Sequence, residues 1–298
     1  MNGAKVLFFF LLIASGAALT AAICIFRPAV PLDSSLAPAY QLFGHASKGA
    51  DRALAVLMRV DDLDEKRYGE AIAAECDAYA DASDPDYIYV NAVMKDVAKF
   101  ARKPFVYRVY MHESDEPNAF ALPGGVIFVT SGLLSTIHSQ SELAAVLAHE
   151  TGHVELSHCL DAVKFQLAAQ KIGAKPLGEL ADFAMSLLVR HSFSKTQEDD
   201  ADTYAYELLT LSSYDPFAEG RAYASFISWC TANGIREERH AGVIRDYFLS
   251  HPPLAIRADK FTQKAERWRE GHRNEKRYIG ISNLVRRKAE FSGREWTK

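Results

Sequence analysis

The sequence predicts an α+β fold that is predominantly helical, with a short mixed β-sheet packed against one central helix. Three observations predict it: helical periodicity before residue 101, two β-rich segments between residues 105 and 130, and helical patterning over nearly everything after Ser139. The chain has 298 residues, 49% of them hydrophobic and 24% charged. That mixture is typical of a globular protein and excludes a disordered, collagenous or multi-span class.

The elements before Ser139 follow from local patterns. Apolar residues recur at helical spacing from Gly49 to about Tyr79, and Asp84-Pro85 ends that pattern. A second helix is predicted over 87–101. The segment 105–111 (FVYRVYM) alternates and is rich in β-forming residues, so it predicts a strand.

The segment 126–130 (VIFVT) predicts a second strand, for the same reason. The 14 residues between the two strands (112–125) end in Pro-Gly-Gly and are predicted to form a loop.

The N-terminal segment is an export signal or a membrane anchor. Val6 to Phe26 are 21 residues without a charge, which make about 31 Å of helix, enough to span a bilayer. Residues 1–27 are therefore a signal-anchor or a signal peptide cleaved near Ala22. The apolar run continues past Ala22, which favours the anchor. Residues 28–48 contain three prolines and are predicted to be an extended linker.

The net charge of −4 gives no electrostatic reason to expect a nucleic-acid binder. The charge is uneven, because residues 252–298 hold 13 Lys and Arg against 6 Asp and Glu. Such a basic tail could contact anionic lipid or a polyanion. Interspersed acids favour the alternative, a solvated helical face. No sequence feature specifies the oligomeric state.

The four cysteines, Cys24, Cys76, Cys159 and Cys230, are widely spaced. No two lie within three residues of each other, which excludes a cysteine-based zinc knuckle. At most one disulfide could form among the last three, so the chain is not a disulfide scaffold.

Residues 149–153 (HETGH) carry the clearest chemical signal. Residues four apart on a helix differ by about 40° of rotation, so His149 and His153 point the same way and can share one zinc ion. Glu150 lies beside that position, where its carboxylate can take a proton from water. Ser139 and Glu142 predict a capping box at the start of this helix.

A zinc site of this type needs a third ligand. His158 lies nine residues after His149, about 180° around a continuous helix, and is excluded as a ligand from that helix. Glu198 is the better candidate, because the capping box 194–197 starts a helix near residue 195. Glu198 and Asp202 then lie four apart on one face, where two like charges repel unless a cation lies between them and a neighbouring helix.

Several segments in order resemble the HtpX/BepA-type zinc metalloproteases, relatives of the CAAX prenyl endopeptidases. These segments are NAFALPGG (118–125) with VIFVTSGLL, then HETGH, SKTQEDDAD, SSYDP and SHPP. The resemblance covers roughly residues 49–256, and single-span or exported members resemble this chain best. It implies a zincin-type metalloprotease domain over 49–256, followed by a basic helical extension over 257–298.

By this resemblance, one zinc ion per chain is bound by His149, His153 and Glu198, with Glu150 as the catalytic glutamate. Asp202 would hydrogen-bond a zinc-binding imidazole, and His251 would stabilise the oxyanion. Strand 126–130 would be the edge on which an extended peptide pairs. The segment implied to bind substrate comprises Asn118, Ala119, Phe120, Ala121, Leu122, Pro123, Gly124 and Gly125.

These features predict a zinc metalloendopeptidase that acts on polypeptides outside the cytoplasm, in the periplasm if exported. Quality control of misfolded envelope proteins is what the resemblance implies. The alternative is a zinc-bearing chaperone or assembly factor with latent proteolysis, in which residues 161–192 fold over the cleft as a lid. A purely structural zinc protein would have no need of Glu150 beside the metal.

Overall fold

The computed structural model of the chain describes residues 61–78, 80–163, 193–235, 254–289 and 295–297. The predicted signal or anchor, the linker and the first residues of the domain lie outside this part of the chain. Within it, no helix is both long and apolar enough to cross a bilayer.

Among the described residues, two helices precede the sheet. Helix α1 (Asp62–Asp77) begins with a capping box in which the Asp61 carboxylate accepts from the backbone of Leu63 and Asp64. Helix α2 (Pro85–Val97) begins at Asp84 with proline in its first turn, and a 3-10 turn (Ala98–Phe100) extends it. Helix α1 falls within the predicted region, whereas α2 begins two residues before the predicted start at residue 87.

The sheet has three strands, β1 (Arg108–His112), β2 (Ala119–Leu122) and β3 (Val126–Thr130). Their order is β1-β3-β2, with β1 parallel and β2 antiparallel to β3. The mixed sheet is confirmed, but two local predictions were wrong. The segment predicted to be a loop contains β2. The strand predicted to be an edge, β3, is the central strand, and β2 is an edge strand next to it.

The remaining helices follow β3 in the chain. They are α3 (Ser131–Thr136), α4 (Gln140–Glu155), α5 (Lys195–Leu211), α6 (Ala218–Ala232), α7 (Leu254–Gly271) and α8 (Ile281–Arg286). Their predominance, together with the small sheet, confirms the α+β fold class.

Helix α4 lies at the centre of the core. Its apolar residues Leu143, Leu147 and Val154 are fully buried in the largest hydrophobic cluster, and neighbours surround it on several sides, including α2, α5, α6 and β2. A helix enclosed in this way is held rigidly by packing. Side chains projecting from α4 are therefore fixed in position.

Only part of the capping box predicted at the start of α4 is present. The Ser139 hydroxyl accepts from the backbone of Glu142 at 3.3 Å. The Glu142 carboxylate, however, accepts from the backbone of His138 at 3.0 Å and from the hydroxyl of Ser139 at 2.9 Å, rather than from the backbone of Ser139. The C-terminal segment supplies further acceptors, because the amides of Gln140 and Ser141 donate to carbonyls of residues 280 and 279 at 3.0 Å. The predicted capping box of α5, between Ser194 and Gln197, is present.

Helices α4 and α5 approach closely at Gly152. A Cβ atom at this position would lie 3.2 Å from the Cα and carbonyl oxygen of Ala201 and from the Cβ of Tyr204. The glycine inside the HETGH segment therefore allows the backbone of α5 to come within reach of the two histidines. This contact sets the distance between the histidine helix and the helix that carries Glu198.

Helix α7 runs through the predicted domain boundary at Ile256. Arg257, Phe261 and Ala265 on its buried face are 0–2% exposed, and Phe261 packs against Tyr223 of α6. The boundary itself stays a prediction. Cys76 and Cys159 are free thiols, while Cys24 lies outside the described residues.

Candidate metal centre

Two imidazoles and one carboxylate meet between α4 and α5. The Nε2 atoms of His149 and His153 are 3.1 Å apart. Each lies 3.4 Å from a different oxygen of Glu198. All three side chains are buried. The structure therefore brings together the three residues predicted as metal ligands.

This arrangement fits zinc. Two histidines and a glutamate are a donor set found in catalytic zinc sites, which keep the fourth position open. Zinc–ligand bonds of about 2.0–2.1 Å at tetrahedral angles place neighbouring ligand atoms about 3.3–3.4 Å apart. The observed separations of 3.1, 3.4 and 3.4 Å are close to that spacing, with one oxygen of Glu198 facing each histidine. The three side chains would hold one zinc ion.

Asp202 orients His149, as the resemblance implied. Its Oδ1 atom lies 2.9 Å from Nδ1 of His149, one helical turn beyond Glu198 on the same face of α5. A proton shared on Nδ1 leaves Nε2 with its lone pair directed at the metal position. With four residues between them, Glu198 faces the metal position while Asp202 contacts the outer nitrogen of His149.

His153 is positioned by two residues that the sequence did not identify. Its Nδ1 lies 3.1 Å from Nδ1 of His158, and the ring of Phe193 stacks on it with centroids 3.9 Å apart. Helix α4 ends at Glu155, and Ser157 takes a positive φ of 62°, which turns the chain back. His158 is not among the clustered ligand atoms, but the turn brings it to the far side of the His153 ring.

Arg257 was also missed. Its guanidinium donates to both oxygens of Asp202, at 2.9 Å from Nε and 2.6 Å from Nη2. The same Nη2 donates to the hydroxyl of Tyr223 at 2.7 Å and lies 3.5 Å from Glu198. A buried arginine therefore relieves part of the repulsion between the two carboxylates of α5. No local pattern in the basic C-terminal segment distinguishes Arg257 from its neighbours.

The pKa values of these groups reflect their burial and the carboxylates of Glu198 and Asp202 beside them. Burial lowers the pKa of His149, but hydrogen bonds to Asp202 and Glu198 outweigh it and raise the value to about 10. Burial lowers the pKa of His153 to about 3. Burial alone would raise the pKa of Asp202, yet His149 and Arg257 hold it below its ordinary range. A metal cation would compensate this negative charge in place of a proton.

Glu150 lies beside the ligands on α4 and is 7% exposed. Burial raises the pKa of its carboxyl to about 7, while the charge of His149 and the backbone amide of Ala121 act to lower it. A carboxyl with a pKa near neutrality can both accept and return a proton. This side chain is suited to general acid–base chemistry.

The segment predicted to bind substrate is divided in the structure. Asn118 and Ala119 line an open cleft beside His149 and Glu150. Pro123, Gly124 and Gly125 form a buried 3-10 turn instead, and the Gly124 amide lies 3.3 Å from a carboxylate oxygen of Glu65 on α1. The structure does not bring those three residues to the cleft.

Strand β2 presents one backbone edge to this region. Asn118 and Thr130 exchange hydrogen bonds across the strands, so the alternate residues Ala119 and Ala121 direct their backbone groups away from β3. The Ala121 amide interacts with Glu150. His251, the predicted oxyanion-stabilising residue, and residues 164–192 of the predicted lid lie outside the described residues.

A model of peptidase family M48 matches residues 88–265 of the chain. That stretch is well over half of the 298 residues and includes the three clustered ligands, Glu150, Asp202 and Arg257. The family match therefore covers the whole centre described above.

Curated relatives match over a similar stretch. The mitochondrial metalloendopeptidase OMA1 of Schizosaccharomyces pombe is 30% identical over 168 residues, which are 53% of this chain and 50% of that protein. The metalloprotease LoiP of Escherichia coli is 30% identical over 166 residues, 52% of this chain and 61% of that protein. The β-barrel assembly-enhancing protease of E. coli is 28% identical over 186 residues, 55% of this chain and 36% of that protein. The chain thus spans about a third to three fifths of the length of these relatives.

Proposed function

Because the chain belongs to peptidase family M48, we propose that it is a zinc-dependent metalloendopeptidase that hydrolyses peptide bonds. One observation carries the proposal. His149, His153 and Glu198 converge on one position, and a buried carboxyl, Glu150, lies on the helix that bears the two histidines. A metal that served only structure would need no acid–base group beside it.

Zinc, when bound by the three ligands, supplies the Lewis acidity that polarises a peptide carbonyl and lowers the pKa of water. The chain's own residues do the rest. The Glu150 carboxylate takes a proton from the attacking water and returns it to the leaving nitrogen. Asp202, held by Arg257, keeps the ring of His149 in one orientation.

An extended substrate would pair with the outer edge of β2 at Ala119, which lines the cleft. The backbone groups of Ala119 and Ala121 face away from β3, and β2 lies against α4 beside Glu150. Adding a strand in this way uses main-chain hydrogen bonds, which suit polypeptides of varied sequence. This mode also explains why a short edge strand, rather than the central β3, lies at the cleft.

The proposal includes a place of action outside the cytoplasm. Its support is the uncharged segment from Val6 to Phe26, which would carry the domain across a membrane and either anchor it or be cleaved. The substrates would then be misfolded or envelope proteins exposed there, in the periplasm if the protein is exported.

The experiment is hydrolysis of unfolded casein by the full-length chain. We expect casein fragments to form, and we expect a zinc chelator to stop the cleavage. Cleavage should return when zinc is restored, because the three ligands bind the ion reversibly. Cleavage unaffected by the chelator would contradict a metal mechanism. A zinc-loaded chain that binds casein without cleaving it would favour the chaperone alternative.

A further inference from the structure

A cavity adjoins the candidate metal centre on the side of α6. Its empty space, counted together with the open solvent at its mouth, is about 810 Å³. His149 and Glu150 line one side of it, and Glu219, Tyr223 and Phe226 of α6 line another. A side chain that entered this cavity would belong to a residue next to the scissile bond.

Glu219 is an unusual member of this wall. It is 2% exposed, and no described residue forms a hydrogen bond with either of its carboxyl oxygens. Buried polar atoms in proteins nearly always have a partner, so a buried carboxyl without one calls for a specific explanation. Burial also raises the pKa of this carboxyl well above its ordinary value, as expected for an acid withdrawn from water without a hydrogen-bond donor.

The charges around the cavity favour a cationic ligand. Its described lining includes the acids Glu116, Glu150 and Glu219. Arg257 is the one arginine or lysine in that described lining, and its guanidinium is already bonded to Asp202 and Tyr223. A basic side chain entering the cavity could pair with these carboxyl groups, whereas an anionic one would meet only an arginine that is already bonded.

The apolar part of the wall suits a long basic side chain. Val146, Phe226, Trp229 and Leu254 line the cavity along with the acids. Methylene groups of lysine or arginine can pack on such a surface while the charged end reaches a polar group. The aromatic rings also attract cations through their faces.

We propose that this cavity is a specificity pocket in which Glu219 selects substrates with lysine or arginine next to the scissile bond. The proposal rests on the proposed function, because it names the substrates of the same site. In this account, the basic side chain of a bound substrate donates the hydrogen bond that no described residue gives to the Glu219 carboxyl. A neutral hydrogen-bond donor, such as a tyrosine hydroxyl, would also pair with this carboxyl, so a peptide with Tyr at this position is compared with the basic ones.

The test compares peptides that differ only at one position beside the scissile bond, carrying Lys, Arg, Gln, Tyr or Leu. Wild-type full-length protein loaded with zinc is compared with Glu219→Gln and Glu219→Leu. Glu207→Gln is the matched control, because it makes the same change at an exposed carboxylate of α5. Cleavage sites in unfolded casein, located by mass spectrometry, define the bond on which the peptides are built.

We expect wild type and Glu207→Gln to prefer the Lys and Arg peptides over the Leu peptide by roughly tenfold or more in kcat/KM. Glu219→Gln should lose that preference, and Glu219→Leu should reverse it. Wild-type protein that shows no basic preference, prefers Tyr, or keeps its basic preference after Glu219→Gln overturns the proposal.

Peptide binding to the Glu150→Gln variant, measured by fluorescence anisotropy, separates the two proposals. Tighter binding of Lys and Arg peptides, lost when Glu219→Gln is added, supports the pocket even if no peptide is cleaved; in that case only the proposed hydrolysis fails. Equal binding of all five peptides overturns the pocket, whatever the cleavage results show.

Discussion

Glu150→Gln is expected to lower kcat/KM for peptide hydrolysis by about 10²–10⁴-fold and to leave the zinc content unchanged. The change keeps the shape of the side chain but removes the carboxylate that accepts a proton. The metal ligands, His149, His153 and Glu198, are untouched, and the side chain is buried on a rigid helix, so the fold should be retained. Zinc per chain and initial rates of peptide cleavage are the two measurements.

The Glu207→Gln variant again serves as the control, since it removes an exposed carboxylate of α5 that lies outside the site. Its rate should equal that of the wild type. A Glu150→Gln protein that holds zinc and still turns over near the wild-type rate would contradict the role given to Glu150. Loss of both zinc and activity would show instead that the variant had damaged the metal site.

Arg257→Met is expected to destabilise the protein by about 3–5 kcal/mol, because removing one partner of a buried ion pair leaves the other charge uncompensated. Arg257 is 2% exposed and bonds both oxygens of Asp202. Without it, Asp202 and Glu198 repel each other across one turn of α5. Urea unfolding, monitored by circular dichroism, measures the free energy of unfolding of each variant.

Lys260→Met is the matched control for Arg257→Met. Lys260 lies one turn further along α7 and pairs with Asp199, but both side chains are partly exposed, at 33% and 58%. Such surface pairs contribute about 0–1 kcal/mol. Arg257→Lys keeps the positive charge but loses the bidentate hydrogen bonds to Asp202. Its free energy of unfolding should therefore fall between those of the wild type and Arg257→Met. Equal stability of the Arg257→Met and Lys260→Met proteins would rule out the proposed role of Arg257.

The features that the sequence predicted well depend on local geometry. Two histidines four residues apart must share a helix face, and a capping box fixes where α5 starts, so the positions of His149, His153 and Glu198 follow from short-range rules. The strand Val126–Thr130 was also predicted with its observed bounds, because five consecutive β-forming residues leave few alternatives.

The features that were missed depend on long-range packing. Strand β2 has only four residues, AFAL, and their pattern does not distinguish a strand from a loop until β3 pairs with them. For the same reason β3 was placed at an edge. Glu219 gives no local sign that it will be buried at the cleft, and Arg257 gives none that it will be buried between two carboxylates.

The exclusion of His158 as a metal ligand is consistent with the structure, but its contact with His153 was missed. His158 was set aside as a ligand because a continuous helix would turn it about 180° away from His149. The helix in fact ends at Glu155, and the positive φ of Ser157 reverses the chain. His158 therefore reaches the ring of His153, a contact that only the three-dimensional path of the chain reveals.

The measurement that tests the central claim most directly is zinc content, by mass spectrometry of metals, in the folded wild-type chain and in Glu198→Ala. The claim is that His149, His153 and Glu198 together hold the ion. We predict about one zinc per wild-type chain and its loss from Glu198→Ala, because two imidazoles alone leave the site short of a ligand. A folded wild-type chain without zinc, or a Glu198→Ala protein that keeps it with wild-type affinity, would contradict the account.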